Sequence, residues 1–396
     1  MPVWLPMGSQ VFWLPRQGNA AILTLVMSTF EDNGMLRTLS IHNFKCFDEF
    51  VFGALSQFNL ITGENDTGKT ALLEALFLHS GARNPACATN INFFRGMDKI
   101  IMSPDVLWGW HFQNHDISQP IELKGQRDKG VEDNLRISLQ RSGSSAQELE
   151  GEAAGETDDM QTTSEGPGEL YLAYEYDPPE GPTLRGSSRI RQQNSGGSLR
   201  VDIATKSDAK QEVSSHFLSA RTRSFTADAQ HLSNLIAGKK KQAVLDAIHV
   251  LDKRVKDLSV QFAGGEPFTV ADIDLPEMVP LPFAGEGLTR FLSMVIRVLR
   301  MPKGLLLIDE IENGLHHTVL QRIFGALMDL AKQHQVQVVA TTHSRECVKA
   351  FYEASISFTK PELALFRLER RNGKRRLVRY DEASLEAAMD AEFEVR

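Results

Sequence analysis

Four residues near position 65 have the types and the spacing that hold a phosphate chain. Gly63, Gly68, Lys69 and Thr70 fit the pattern G-x-x-x-x-G-K-[ST]. Glycines at these positions let backbone N–H groups point inward at an anion, and the following helix adds the positive end of its dipole. Lys69 would give the β- and γ-phosphates a cation, and the Thr70 hydroxyl would be a ligand of Mg²⁺. The pattern predicts a P-loop rather than a glycine turn without a ligand, and its nucleotide-binding residues are Gly63, Glu64, Asn65, Asp66, Thr67, Gly68, Lys69 and Thr70.

A second set of polar residues follows apolar runs late in the chain. Asp309 and Glu310 come directly after the run from Leu305 to Ile308, as expected at the carboxyl end of a buried parallel strand. There Asp309 can hold Mg²⁺ while Glu310 aligns and partly deprotonates a water molecule. A solvated acidic pair is the alternative, which the P-loop in the same chain disfavours. His343, after the strand predicted from Val336 to Thr341, is a catalytic candidate that could hydrogen-bond the γ-phosphate; a structural histidine is its alternative.

A third candidate is the glycine-rich start of a helix. Gly285 and Gly287 begin a segment that runs to about Arg300, and a helix N-terminus favours an anion. The same glycines would also suit a plain helix cap. We therefore treat Gly285 and Gly287 as candidate nucleotide-binding residues.

The elements that position these residues alternate between strands and helices. A strand, a hairpin-like return and a buried strand are predicted from Leu36 to Thr62, where one sheet begins. A long amphipathic helix is predicted with Val244, Ile248, Leu251, Val255 and Leu258 on one face. A helix near Leu320 to Gln333 and a hairpin on Asn372 and Gly373 follow. Such alternation is typical of a parallel sheet covered by helices.

Composition sets limits on the class of protein. The chain has 396 residues, of which 42% are hydrophobic and 24% charged, as in folded globular proteins. Its net charge of −8 gives no global field for nucleic acid or an anionic membrane. Three scattered cysteines suggest a reducing compartment without structural zinc, so we expect a cytoplasmic protein. The apolar stretch from Ala20 to Met27 is too short to cross a bilayer.

Changes in composition suggest four regions. Residues 1–35 are expected to be a poorly ordered leader, and residues 36–124 the first part of an ATPase domain. Residues 125–212 are rich in Gly, Ser, Glu and Gln, and are expected to be a polar insertion or a small β appendage. Its alternating runs lie at 136–140, 170–176 and 199–205. Residues 213–396 would complete the ATPase domain.

The chain resembles the ABC-class ATPases, and within them the soluble branch that includes SMC, RecF and the OLD proteins. The resemblance rests on four pieces in chain order: the P-loop, the glycine-rich helix start, the strand followed by Asp309 and Glu310, and the strand followed by His343. The stretches "LSIHNFKCFDEF", "LIDEIENGLHH" and "TTHS" carry the resemblance, which is strongest to compact ATP-binding proteins related to OLD. It implies an α/β fold: a mostly parallel central sheet with flanking helices, an antiparallel β part and a partly disordered insertion. It also implies ATP and Mg²⁺ as cofactors, Asp309 as the end of the Walker B strand, Glu310 as catalytic carboxylate and His343 as switch histidine.

The resemblance also implies a head-to-tail homodimer, in which Ala284 to Thr289 of one subunit close over ATP bound at Gly63 to Thr70 of the other. "ENGLHH" would be the D-loop, with His316 where many relatives have aspartate, and Gln113 would stand for the Q-loop. Ala284 takes the place of a serine common in transporters. After His343 the chain has 53 residues, from 396 − 343, so we expect no Toprim nuclease domain in it.

Several functions remain open on the sequence alone. The first is an ATP-hydrolysing switch that acts on a separate protein effector in phage defence or DNA maintenance. The second is a RecF-like DNA-binding repair ATPase, for which the basic candidates are 238–241 and the hairpin residues Arg370, Arg371, Lys374, Arg375, Arg376 and Arg379. An ATP-gated scaffold without turnover is a further alternative, and a transporter subunit fits the polar insertion poorly.

Overall fold

The computed structural model describes residues 34–97, 104–142, 170–195, 198–208, 215–222, 224–356 and 363–380, with Ser384 and Glu386. Residues 1–33 of the predicted leader and nearly all of residues 381–396 lie outside this part of the chain. Short 3₁₀ turns occupy Gln113–His115 and Asp128–Gly130. The strands are β1 (Leu36–Phe44), β2 (Phe47–Phe52), β3 (Phe58–Thr62), β4 (Ile121–Arg127), β5 (Glu132–Arg141), β6 (Leu170–Asp177), β7 (Leu184–Ser195), β8 (Ser198–Ser207), β9 (Ser215–Leu218), β10 (Asp257–Ala263), β11 (Glu266–Asp272), β12 (Val279–Pro280), β13 (Leu305–Ile308), β14 (Gln337–Thr341), β15 (Leu363–Arg371) and β16 (Lys374–Tyr380). The helices are α1 (Lys69–Ser80), α2 (Cys87–Phe94), α3 (Pro104–Gly109), α4 (Phe225–Ala237), α5 (Lys241–His249), α6 (Leu281–Ala284), α7 (Glu286–Arg300), α8 (His317–His334) and α9 (Arg345–Ile356).

A mostly parallel sheet forms the centre of the fold. Within the described residues its order is β16-β15-β3-β14-β13-β9, and β15, β3, β14, β13 and β9 all run parallel. β16 joins as an antiparallel hairpin partner of β15 through Asn372 and Gly373, as predicted. Every residue of β3, β13 and β14 is buried, which is typical of a parallel sheet covered on both faces.

A second sheet is antiparallel throughout. The described residues give it the order β2-β1-β4-β5-β6-β7-β8. The three alternating runs of the polar region lie in β5, β6 and β8, and β4 crosses the predicted boundary at position 125 without a break in pairing. The expectation that β1, β2 and β3 begin one sheet is wrong. β3 is buried at every position and pairs with β14 and β15 instead.

The long amphipathic helix predicted from Val244 to Leu258 is also wrong in its second half. α5 ends at His249, and Leu258 lies in β10, which pairs with β11 across the Gly264–Gly265 turn. The apolar spacing from Val244 to Leu258 fits a helix. Leu258 is in a strand instead because β10 pairs with the alternating segment β11, which follows the two glycines. Val244, Ile248 and Leu258 are nevertheless all fully buried in one core.

Two hydrophobic cores lie on opposite faces of the parallel sheet. Because side chains alternate along a strand, Leu60 and Leu306 enter one core while their neighbours Ile61 and Leu307 enter the other. The first core also contains the apolar sides of α4, α5, α7, α8 and α9. The second contains α1 and the inner face of the antiparallel sheet. Because β3, β14, β13 and β9 run parallel, their carboxyl ends lie at one edge of the sheet.

No helix among the described residues combines the length and the apolar character needed to cross a membrane.

Candidate nucleotide-binding site

The P-loop lies between the end of β3 and the start of α1, and its two bounding glycines are required by geometry. Gly63 has φ of 145° and Gly68 has φ of 109°, both in the region that side chains disfavour. A Cβ on Gly63 would lie 2.3 Å from the carbonyl oxygen of Leu368 in β15. Position 63 thus excludes any larger residue through its backbone conformation and through its closest neighbour.

The side chain of Lys69 lies across this loop. Its Nζ donates to the carbonyl oxygens of Gly63 at 2.6 Å and Glu64 at 2.8 Å, and the Thr67 hydroxyl donates to the same Glu64 oxygen at 2.9 Å. Burial lowers the pKa of Lys69, and the negative charges of Asp309 and Glu310 oppose that shift. The ammonium group is therefore held over the loop, where a phosphate would need it.

Thr70 and Asp309 meet although they are 239 positions apart in the chain. The Thr70 hydroxyl lies 3.1 Å from both carboxylate oxygens of Asp309. Thr341, at the end of β14, donates to the same carboxylate at 2.7 Å. Burial raises the pKa of Asp309, whereas the hydroxyl donors of Thr341 and Thr70 lower it. A hydroxyl and a carboxylate side by side are the hard oxygen donors that suit Mg²⁺ beside a phosphate chain.

Glu310 continues directly from Asp309 in an unusual backbone conformation. Its φ is 48°, and its N–H donates to the Thr341 hydroxyl at 2.9 Å. A non-glycine residue in this region costs on the order of 1–3 kcal/mol and is commonly retained at functional sites. This conformation lets Asp309 contact Thr70 while Glu310 lines the same cavity as Lys69.

His343 follows β14 and is positioned by Glu312. The Oε1 atom of Glu312 accepts the His343 backbone N–H at 3.1 Å and the Thr342 hydroxyl at 2.8 Å. It also lies 3.4 Å from His343 Nδ1. In the sequence Glu312 is only the first residue of the proposed D-loop "ENGLHH", and nothing there indicates its contact with His343.

One cavity of about 1180 Å³ is lined by residues of the P-loop and of the two strand ends: Asn65, Asp66, Gly68, Lys69, Thr70, Asp309, Glu310, Thr341 and His343. Gln113 also lies on its wall, so the residue proposed for the Q-loop is near the others. Six basic residues line the cavity against three acidic ones, which suits an anionic ligand such as a triphosphate. The basic residues are Lys45, Lys69, Arg95, Arg221, Arg370 and Arg375, and the acidic ones are Asp66, Asp309 and Glu310.

Sequence reasoning missed a buried charge cluster beside the loop. Glu74 of α1 is fully buried and pairs with Lys45 Nζ at 2.6 Å and with Arg95 Nε at 2.6 Å. Burial lowers the pKa of Lys45 to about 8, although Glu74 opposes the shift. The three residues lie in separate elements, so only the fold joins them.

The glycine-rich segment does not line this cavity in the described part of the chain. Gly285 has φ of 140°, and α7 begins at the next residue. A Cβ on Gly287 would lie 3.3 Å from the carbonyl oxygen of Gly314. His316 caps α8 through its Nδ1 atom, which accepts the Thr318 N–H at 3.4 Å. The structure therefore brings the P-loop, Asp309, Glu310 and His343 together and leaves Gly285 and Gly287 apart from them.

A buried arginine links that segment to the acidic strand end. Arg290 of α7 is 3% exposed and donates to the carbonyl oxygens of Ser219 at 2.8 Å and Asp309 at 2.9 Å. It joins α7 to the ends of β9 and β13. Neither its sequence spacing nor its charge predicted this position.

This chain is similar to known proteins in sequence. Residues 170–348 match the family described as "AAA domain, putative AbiEii toxin, Type IV TA system". Over 328 residues the chain is 23% identical to an "ATP/GTP phosphatase" of Helicobacter pylori (strain ATCC 700392 / 26695). The aligned residues are 80% of this chain and 87% of that protein. The AAA-domain match and this similarity support ATPase activity.

Among solved structures, an SMC head bound to the C-winged helix domain of ScpA has a TM-score of 0.44 at 11% identity, covering 90% of this chain and 99% of that chain. The SMC head domain of Thermotoga maritima has a TM-score of 0.41 at 11% identity, covering 87% of this chain and 99% of that chain.

Proposed function

We propose that this protein is a cytoplasmic, Mg²⁺-dependent ATPase that acts as a nucleotide switch. The observation that carries the proposal is the contact at 3.1 Å between Thr70 of the P-loop and Asp309 at the end of β13. This contact joins the two halves of a phosphate and metal site from opposite ends of the chain. Glu310 and Lys69 line the same cavity.

Each residue of the site then has a defined role. Lys69 and the loop amides bind the β- and γ-phosphates, and Thr70 with Asp309 would hold Mg²⁺, which neutralises phosphate charge when bound. Glu310 accepts a proton from the attacking water and aligns it. His343, held by Glu312, donates a hydrogen bond to the γ-phosphate and responds to its loss.

A head-to-tail homodimer is the second part of the proposal. Gly285 and Gly287 lie outside the cavity in the described residues, so their predicted contact with nucleotide requires a second subunit. The adjoining Phe283 is 84% exposed, which leaves this segment available to a partner. The cavity of about 1180 Å³ exceeds the roughly 300–1,000 Å³ of ordinary small-molecule sites, and so has room for a segment of the second subunit.

The third part concerns what the switch controls. We place it among OLD-related proteins acting on a separate protein effector in phage defence or DNA maintenance. The motif resemblance supports this, as does the toxin–antitoxin system named in the description of the matching family.

The proposed cytoplasmic location is supported by the cysteines. Cys46, Cys87 and Cys347 are free thiols, which is typical of a reducing compartment.

Turnover of MgATP by the purified protein tests the enzymatic part. We expect phosphate release by the wild type, loss of ATP binding in Lys69→Ala, and loss of turnover with retained ATP binding in Glu310→Gln. Parallel assays with GTP test base preference, because the similar Helicobacter pylori protein is named for both nucleotides. Turnover in Glu310→Gln at the wild-type rate would contradict the assignment of Glu310, and ATP binding without turnover in the wild type would favour a scaffold.

A RecF-like DNA-binding ATPase is the alternative, and the basic hairpin favours it. Arg370, Arg371, Lys374 and Arg376 are exposed on β15 and β16. We would expect tight binding to a duplex oligonucleotide, with an affinity that falls steeply as salt rises. Replacement of these four residues by glutamine should abolish that binding, whereas weak, salt-insensitive binding by the wild type would exclude this alternative.

A further inference from the structure

Two segments outside the P-loop motif pack against the loop and line the same cavity. One is the two-residue turn Lys45–Cys46 between β1 and β2, and the other is the β15–β16 hairpin. A Cβ on Gly68 would lie 2.7 Å from the Cys46 sulfur and 3.4 Å from Arg375 Nε. The two segments therefore approach the loop as closely as a glycine permits.

One guanidinium group joins both segments to the loop. Arg375 donates from Nε to the carbonyl oxygen of Thr67 at 2.9 Å and from Nη1 to that of Cys46 at 2.6 Å. Its Cζ atom also lies 5.7 Å from the centre of the Phe47 ring. The fixed fork of a guanidinium makes such paired contacts directional, which a lysine ammonium cannot reproduce.

The contact with Thr67 fixes the direction of the next amide. In a trans peptide unit the C=O and N–H groups lie in one plane and point in opposite directions. Because Arg375 holds the Thr67 oxygen, the Gly68 N–H points to the opposite side of that peptide unit, away from Arg375. Amides of such a loop that are free of protein acceptors are the groups that bind a phosphate.

We propose that Arg375 is a positioning residue of the nucleotide site, which orients the Thr67–Gly68 peptide so that the Gly68 amide faces the phosphates. The inference rests on the proposed function, since it needs ATP to bind at the P-loop. Arg375 lines the cavity, and its proposed action is through the backbone of the loop, at the Thr67 carbonyl oxygen. Its role in the C-terminal hairpin is then to complete a loop that begins more than 300 residues earlier.

The test is the affinity of a fluorescent N-methylanthraniloyl ATP for the full chain and for three variants. Arg375→Ala removes the fork, Arg375→Lys keeps its charge, and Arg367→Ala removes a guanidinium of the same hairpin that pairs instead with Glu369. Two charge-assisted hydrogen bonds are at stake, so we expect Arg375→Ala to bind about tenfold more weakly. Arg375→Lys should recover little of that loss, and Arg367→Ala should bind as the wild type does.

Steady-state turnover separates positioning from a general loss of structure. We expect the KM for ATP to rise about as much as the dissociation constant in Arg375→Ala, with kcat at saturating ATP changed by less than about twofold. If Arg375→Ala does not fold, the comparison of Arg375→Lys with the wild type carries the test. Wild-type affinity in a folded Arg375→Ala, or full recovery in Arg375→Lys, would overturn the inference. Failure of the wild type to bind ATP would instead overturn the proposed function.

Discussion

The Thr341 hydroxyl donates a hydrogen bond of 2.7 Å to the Asp309 carboxylate, and this contact fastens the end of β14 to the end of β13. The same oxygen accepts the N–H of Glu310 at 2.9 Å. Because Thr341 is completely buried, water cannot replace it at either contact. One hydroxyl therefore orients the proposed metal ligand and supports the left-handed backbone of the proposed catalytic carboxylate.

Replacement of Thr341 by valine should separate catalysis from binding. Valine keeps the shape but leaves a buried carboxylate and a backbone N–H each short of a partner, at a cost of about 1–3 kcal/mol. We expect kcat to fall on the order of tenfold, with the dissociation constant for ATP within about twofold of the wild-type value, as measured by phosphate release and by fluorescent nucleotide titration.

Thr269→Val is the matched control for that variant. Thr269 is buried in β11, and its hydroxyl has no hydrogen-bond partner in the described residues. The same exchange there should leave kcat unchanged. An unaltered kcat in Thr341→Val would show that the tie to Asp309 and Glu310 does not matter for turnover.

A buried carboxylate also joins α1 to the antiparallel sheet. Asp133 contacts His79 Nε2 at 2.7 Å, the Tyr176 hydroxyl at 3.1 Å and Arg127 at 3.3 Å. Asp133→Asn removes the charge from this network, so we expect a loss of about 2–3 kcal/mol in the free energy of unfolding at pH 7. Urea unfolding measures it, and an unchanged stability would mean that these contacts are energetically neutral.

The same residue gives a pH dependence on the acid side. Burial alone would raise the pKa of Asp133, but His79, Arg127 and Tyr176 outweigh it and lower the pKa to about 2. The unfolded chain binds the proton near pH 3.8, so the stabilisation is complete above that pH and is lost as pH falls to about 2. The wild type should lose roughly 2 kcal/mol through this group in that window, and Asp133→Asn should not show this component.

His216 produces a pH dependence at milder acidity. Burial and then the charges of Arg297 and its neighbours lower the pKa of His216 to about 3. The unfolded chain protonates this histidine near pH 6.5, whereas the folded protein does not until about pH 3. Stability contributed by neutral His216 is therefore full above pH 6.5 and falls by up to about 1.4 kcal/mol per pH unit below it.

His216→Gln should remove that component, because glutamine does not titrate. Chemical unfolding at pH 7 and pH 5 should show a drop in stability smaller by about 2 kcal/mol in the variant than in the wild type. The exposed His317 offers a control, since His317→Gln should keep the wild-type pH dependence. Equal drops in wild type and His216→Gln would contradict the assignment.

Local patterns were sufficient for the parts of the fold that local contacts decide. The strand from Leu305 to Ile308 matches its prediction residue for residue, and the hairpin on Asn372 and Gly373 is confirmed. The P-loop followed by a helix is confirmed for the same reason, because glycines, apolar runs and turn residues act over a few positions. β9 was missed because its four residues, Ser-His-Phe-Leu, have no apolar run like the Leu-Leu-Leu-Ile of β13.

Long-range contacts account for what the sequence could not predict. Arg375 reaches Thr67 across 308 positions, and the pairing of Glu74 with Lys45 and Arg95 joins three separate elements. The sequence groups Arg375 with the basic residues of the DNA-binding alternative, since its charge is visible in the sequence and its partners are not. Contacts between residues so far apart produce no spacing pattern in the sequence.

Light scattering of Glu310→Gln in the presence of MgATP tests the central claim most directly. Without its proposed general base, the variant should hold ATP without cleaving it and keep the two subunits closed around it. We expect the molar mass to double when ATP is added, to stay unchanged with ADP, and to stay unchanged with ATP when Lys69→Ala is added. A Glu310→Gln protein that binds ATP at saturation and remains a monomer would contradict the composite-site switch.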